Sequence, residues 1–312
     1  MMKDNNIKCQ QQGAALIMLV FMLALIFTAF AIGKTTGIEY KAINDFKTAK
    51  ALADAKEAIL GWSVQQSTPG QLPCPEDATL VGTPDEGTAQ LVCALPAIGR
   101  LPWKTLDLGN IVDGNNDKLW YVISTGFRYP PINLNTVAGL SLNAVPNSAV
   151  AIVFSPGVAF PTQNRAASDS PPAAVAEYLD LTNNDGDVTF VSSGDANVFN
   201  DRLLAISKNE LFDLVAKRIL REVRGDNAQG LVKFYADNTN YPFADIDGDG
   251  IANDLMENGT PSYAGAPDSL VFSASRSTLV DNAWPSLINY SVSADRQSVN
   301  LTLNSKSLSV SP

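Results

Sequence analysis

Apolar residues occur along this chain in two regimes. From Ala14 to Gly33 they form a block of 20 residues without a charge, preceded by Lys3, Asp4 and Lys8 and followed by Lys34. Such a block is long enough to cross a bilayer once as a helix. A secretory signal is the competing reading, but the run exceeds the usual apolar core of one and an amphipathic sequence continues past Lys34. A retained anchor is the expectation: a single-pass inner-membrane protein, its basic N-terminal side inside and its bulk periplasmic.

The second regime is periodic. Residues 38–66 contain no proline and carry Ile43, Phe46, Ala49, Leu52, Ile59 and Leu60 at helical spacings, with Lys41, Asp45, Lys50, Asp54, Lys56 and Glu57 between them. A helix running unbroken from the apolar block to Gln66, near the stop at Pro69-Gly70, would be roughly 75 Å long. Its apolar stripe needs a covering surface, which the strand-rich remainder supplies. Leu119 to Ser124 and Ala149 to Ser155 are short β-rich runs bounded by Asp113-Gly114-Asn115-Asn116 and Pro156-Gly157. Ser207-Lys208-Asn209-Glu210 is a capping box, and Leu211, Val215, Ile219 and Val223 follow at steps of four, so a helix is predicted from Ser207 to about Arg224. Its Lys217, Arg218, Arg221 and Arg224 read as a solvated face with favourable C-terminal charge, or as a patch for an acidic partner.

A pattern of helix, aromatic residue, polar turn, proline and acidic loop runs from Ile59 to Asp77 and again from Leu231 through Tyr241-Pro242 to Asp245. A later aromatic stretch, Trp120 to Ser124, returns loosely as Trp284 to Ser293. Similarity this thin leaves an internal duplication and chance both open.

Composition removes several functions. The 312 residues have a formal net charge of −10, with 22 basic against 32 acidic residues, which does not suit phosphate binding, so no nucleic-acid partner is expected. Zero histidine excludes Ser-His-Asp and Cys-His catalysis and histidine-ligated zinc. Gly-x-Ser-x-Gly, Ser-x-x-Lys, Walker and Gly-x-Gly-x-x-Gly motifs are missing from the sequence, so no enzyme is expected. A pair of acids could still serve a glycan hydrolase, but among 32 acidic residues some pair is close by necessity.

Two features bear ligands or bonds. Cys74 and Cys93 both come after the apolar block, and in an oxidising compartment they read as a disulfide rather than as two free thiols. Asp245-Ile246-Asp247-Gly248-Asp249-Gly250-Ile251-Ala252-Asn253-Asp254 places carboxylates at loop positions one, three and five, a glycine at six and an amide at nine, a spacing suited to Ca²⁺. Met256 stands where an EF-hand has its bidentate acid, so a shorter loop closed by Asp254 or Glu257, with Ile251 contributing its carbonyl, fits better. An Asx-rich turn without metal is the alternative. Asn183 to Asp187 is a weaker version, and Asp113 to Asp117 reads only as a turn.

Gly13 followed by Ala14-Ala15-Leu16-Ile17-Met18-Leu19-Val20 and a long helix resembles the N-terminus of type IV prepilins and type II secretion pseudopilins. The segments Gly99 to Leu106, Leu119 to Ser124, Ala151 to Gly157 and Phe199 to Ile206 are similar to stretches of large prepilin-like proteins of Gram-negative bacteria, so the resemblance reaches about Arg224. It implies a leader of residues 1–13, cut by a prepilin peptidase between Gly13 and Ala14 with methylation of Ala14. It also implies that residues 14–33 are the transmembrane and assembly helix, packing among other pilin or pseudopilin subunits in the inner membrane and then in a filament. Most of the family carries glutamate at the fifth mature position, where this chain has Met18, and members without it sit at the filament tip. An unpaired charge in such a core would be costly.

The expected architecture is α+β and pilin-like: a long N-terminal membrane-spanning helix packed on an antiparallel-sheet periplasmic body. Residues 34–66 continue the helix, 67–206 form the periplasmic domain, and 207–312 add a helix and strands with the acidic loop. The expected function is a non-catalytic minor subunit, at the tip or at another minor position, of a type IV pilus or type II secretion system. The alternative is an anchored periplasmic calcium-dependent adhesin or binding module.

Overall fold

The computed structural model describes residues 8–168, 173–264, 270, 272 and 277–312; within the first helix, side chains are described from Met18 to Ile26, at Thr28 and from Tyr40 onward. Helix α1 (Lys8–Gln65) runs 58 residues without a break, as a stretch free of proline permits. The strands are β1 (Ala97–Arg100), β2 (Trp120–Ile123), β3 (Leu140–Leu142), β4 (Val145–Ala149), β5 (Ala151–Ser155), β6 (Thr189–Phe190), β7 (Arg202–Ile206), β8 (Asn258–Gly259), β9 (Asn289–Val292), β10 (Val299–Leu303) and β11 (Lys306–Val310). The further helices are α2 (Arg165–Ser168), α3 (Lys208–Arg224), α4 (Gly230–Asn238) and α5 (Ser277–Asp281).

Two four-stranded sheets, ordered β1-β2-β5-β7 and β8-β9-β10-β11, are antiparallel throughout. A smaller sheet, β4-β3-β6, pairs β3 antiparallel to β4 and parallel to β6. Helix α1 packs on β5 and β7, α3 packs on β10 and β11, and α1 meets α3 between them. One apolar core therefore joins Ala55 and Ile59 of α1, Phe212, Val215 and Ile219 of α3, and Tyr290 and Leu301 of the second sheet. A separate cluster of Trp120, Val122, Ile152, Phe154, Tyr178 and Phe190 fills the other face of the first sheet. With both faces covered, β2 and β5 are buried at every position, while β10 alternates as a strand with one wet face does.

The capping box is present as read: Ser207 accepts from the Glu210 N–H, and the Glu210 carboxylate accepts from the Ser207 N–H at 2.9 Å. Helix α3 in turn finishes α1, because the Arg218 guanidinium donates to the carbonyls of Val64 and Gln66, which the helix end leaves without intrahelical donors. Lys56 of α1 donates to Glu210 at 2.7 Å and to the Ala205 carbonyl at 2.9 Å. Gly114 marks the closest approach of α1 to the body. A Cβ there would lie 2.1 Å from the Asn44 carbonyl oxygen, and its N–H donates to Thr48 Oγ1 at 3.0 Å.

The apolar stripe differs from the sequence expectation. The buried residues of α1 are Thr48, Ala51, Leu52, Ala55, Ile59 and Ser63, whereas Ile43 and Phe46 are 52% and 70% exposed and Ala49 is exposed. The body meets the helix on one side only, from Asn44 onward, and Phe46 points nearly opposite to the Ala51–Ala55–Ile59 face.

The membrane-spanning helix expected over Ala14–Gly33 is corrected here. Among the described residues, no helix is both long and apolar enough to cross a membrane. Part of the expected span, like the leader residues 1–7, lies outside the described residues or side chains. The single-pass inner-membrane location and the periplasmic placement rested on that span and fall with it. The architecture that stands is α+β with antiparallel sheets.

Candidate functional site

The Asp245 loop starts where a buried aspartate replaces missing backbone pairing. Asp245 is 1% exposed; its Oδ1 accepts from the Gly248 N–H and its Oδ2 from the Gly250 N–H, both at 2.8 Å. Gly248 and Gly250 have φ of +82° and +85°, the left-handed region that a side chain strains to enter. The turn this creates brings one carboxylate oxygen each from Asp245, Asp247 and Asp249 within 4.8 Å of one another. The Asp249 N–H donates to Asp247, which holds that carboxyl below its ordinary value.

Of the other expected ligands, Asn253 belongs to the same turn, since its Oδ1 accepts from the Ile246 N–H and its Nδ2 reaches Asp247 Oδ2 at 3.4 Å. Ile251 lies on the loop, with its N–H given to Asp249. Asp254 and Glu257 are exposed and outside the three-carboxylate group, so the structure does not bring in the closing acid. Three hard oxygens at this spacing suit a divalent cation such as Ca²⁺, with water completing its shell.

Cys74 and Cys93 are joined, Cα to Cα 5.9 Å, and close the loop that carries Glu76 and Gly87. Gly13 and Ala14 lie within the α1 backbone, with side chains outside the described ones, and Met18 is 70% exposed on the same helix. The two weaker acidic loops act structurally. Asp113 is buried and accepts from Asn115 and Asp117 N–H groups and from Ser155 Oγ, and Asn183 donates to Asp201 and to the Val191 carbonyl.

One group escaped the sequence reading. A cleft of about 630 Å³ opens between Tyr40, Asn44 and Asp45 of α1 and the segment Ser192–Arg202, with Asn200 and Asp201 in its wall. Asp201 is 3% exposed. Its Oδ2 accepts from the Asp180 N–H and from Asn183 Nδ2, both at 2.9 Å, while its Oδ1 meets no donor. Burial pushes its carboxyl up to about 7, against the pull of those two hydrogen bonds. Nothing in the local pattern Phe199-Asn200-Asp201-Arg202 signals this, because the groups that hold the carboxylate, Asp180 N–H and Asn183 Nδ2, lie 21 and 18 residues earlier in the chain. Arg165 fastens the same region, bridging Asp117 at 2.6 Å and donating to the carbonyls of Pro156, Gly157 and Tyr178.

The Asp201 shift has a testable consequence. The folded state holds this proton to about pH 7 and the unfolded chain only to about pH 4, so over that window the folded state binds more protons and stability falls as pH rises. Asp201→Asn flattens this part of the profile. Urea midpoints at pH 5 and pH 7.5 measure it, and an unchanged difference between the two in the variant contradicts the assignment.

No protein-family model, no characterised protein and no solved structure matches the chain.

Proposed function

We propose that the chain is a non-catalytic minor subunit of a type IV pilus or type II secretion pseudopilus, placed at the filament end. The observation that supports it best is the division of α1. Its last turns are built into the body's core, while Met18 to Ile26, Tyr40, Ile43 and Phe46 leave large apolar side chains exposed. Exposed apolar area on that scale marks a contact surface, and burying it against other subunits' helices returns about 25 cal/mol per Å² removed from water. Met18 brings no carboxylate to the fifth mature position, which suits a subunit with no neighbour stacked above it. The work of such a protein is contact and assembly, with Gly13 and Ala14 as the processing pair. Intact-mass and N-terminal analysis of the protein from cells with and without prepilin peptidase tests this. A chain beginning at N-methylated Ala14 is expected only where the peptidase is present; a chain beginning at Met1 or Met2 in both cells overturns the assignment.

The three gathered aspartates favour a second reading, a calcium-dependent binding module. Calcium at about a hundred times its Kd would add about 2.7 kcal/mol, a rise in Tm of roughly 4 °C for a chain of this size. Differential scanning calorimetry with and without millimolar calcium reads that shift, which the double substitution Asp247→Asn/Asp249→Asn abolishes. No shift in the unaltered chain removes the calcium reading.

A further inference from the structure

We infer that residues 207–312 are a second copy of the helix-on-sheet unit built by residues 40–206, and that α3 thereby occupies on α1 the seat of a neighbouring chain's helix. On the far side of α1 the Ile43–Phe46 row receives a second copy of this chain.

The repeat rests on side chains at one constant offset. Tyr121, fully buried in β2, donates its hydroxyl to the Pro73 carbonyl, and Tyr290, buried in β9, donates its hydroxyl to the Pro242 carbonyl; each bond spans 48 residues. The two tyrosines differ by 169 (290 − 121), as do the two prolines (242 − 73). The same offset takes Glu76 to Asp245, a buried acid three residues after the proline in both cases, and each acid accepts from N–H groups of glycines in the loop it opens. It takes Gly61 of α1 to Gly230, the first residue of α4. The strand beside each tyrosine sets a glycine opposite it, Gly99 to Tyr121 and Gly259 to Tyr290. Each sheet then adds two further antiparallel strands on the far side of the tyrosine strand, and each unit's helix packs on those two. A hydrogen bond and a buried acid repeated at one offset, with the same glycine pairing and strand order around them, do not come from local propensity.

The units differ where the first has insertions. β3, β4, α2 and β6 interrupt the first sheet's connections, whereas β9, β10 and β11 succeed one another directly. They differ also at their helices. By the offset, α3 and α4 correspond to residues 39–69, which include α1 from Glu39 to its end at Gln65, so the second unit has no counterpart of the apolar run from Met18 to Ile26.

The chain thus already docks one unit of its own kind on α1, through Ala55 and Ile59 against α3 and the Lys56–Glu210 pair at 2.7 Å. The other side of α1 continues this interface around the helix and carries Ile43 and Phe46 at 52% and 70% exposure. Charge matches a second copy. Residues 34–50 hold four lysines against Glu39 and Asp45, a local +2, and the rest of a −10 chain carries −12 (−10 − 2). A basic helix segment facing an acidic body is complementary between copies.

The occupant of the seat rests on the assembly proposal above, whereas the repeat stands without it. The full chain carrying Phe46→p-benzoylphenylalanine, or Lys217→p-benzoylphenylalanine on the outer side of α3, is irradiated in cells with and without prepilin peptidase, and products are identified by mass. Position 46 yields a covalent pair of this chain and position 217 does not. Adding Ile43→Glu lowers the yield by about tenfold without moving the unfolding midpoint. No product from position 46, equal products from both positions, or attachment to a different polypeptide overturns the proposal. A pair formed from uncut chain preserves it while removing the processing reading.

Discussion

The fold depends on a single helix serving two sheets. An α-helix presents one stripe to a core, and here the last turns of α1 bury Ala51, Leu52, Ala55 and Ile59 against β5 and β7 on one flank and against α3 on the next. Because α3 carries the second sheet on its other side, the two sheets share one apolar core without touching edge to edge. Small residues at positions 51 and 55 let α1 and α3 approach, and the polar contacts between them are few and specific. Lys56 reaches Glu210 and the end of β7, and Arg218 takes up the carbonyls that finish α1. Loss of this helix pair would leave two small sheets each with an uncovered face.

The same constraint explains why the front of α1 is bare. The body touches α1 from Asn44 onward on one side only, so Ile43 and Phe46 stay exposed. Burying them elsewhere is favourable in proportion to area, which makes the helix a handle for association. The paired loops at Glu76 and Asp245 show a second economy. Both open from a buried acid that takes loop N–H groups, but the first is closed by Cys74–Cys93 and the second carries Asp247 and Asp249 at its exposed rim.

Much of the local structure is legible from residue order alone, where one segment carries its own signal. The capping box of α3, the strands at Trp120–Ile123 and Ala151–Ser155, and the tight turn at Asp113 all rest on neighbours within a few residues. Helical spacing also announces α1, but not which of its faces is covered. Ile43, Phe46 and Leu52 look alike as apolar positions in a sequence, and only the docking of β5, β7 and α3 separates them. The membrane span fails for a related reason: a run of apolar residues states the solubility of a segment, not the partner that covers it. Asp201 is illegible in the sequence, since the groups that hold its carboxylate lie 21 and 18 residues earlier in the chain. In the acidic loop the three aspartates converge as their spacing suggests, while Asp254 and Glu257 stay exposed outside that group.

If α1 and α3 fuse two like units into one cooperative body, native-state hydrogen exchange resolved by segment reads it directly on the full chain. The amides of β2 and β5 and those of β9 and β10 then open with the same free energy, in one global event. Exchange of the β9–β10 amides at a distinctly lower free energy than those of β2 and β5 would contradict the fusion, because the second unit would then be an appendage and not half of a shared core.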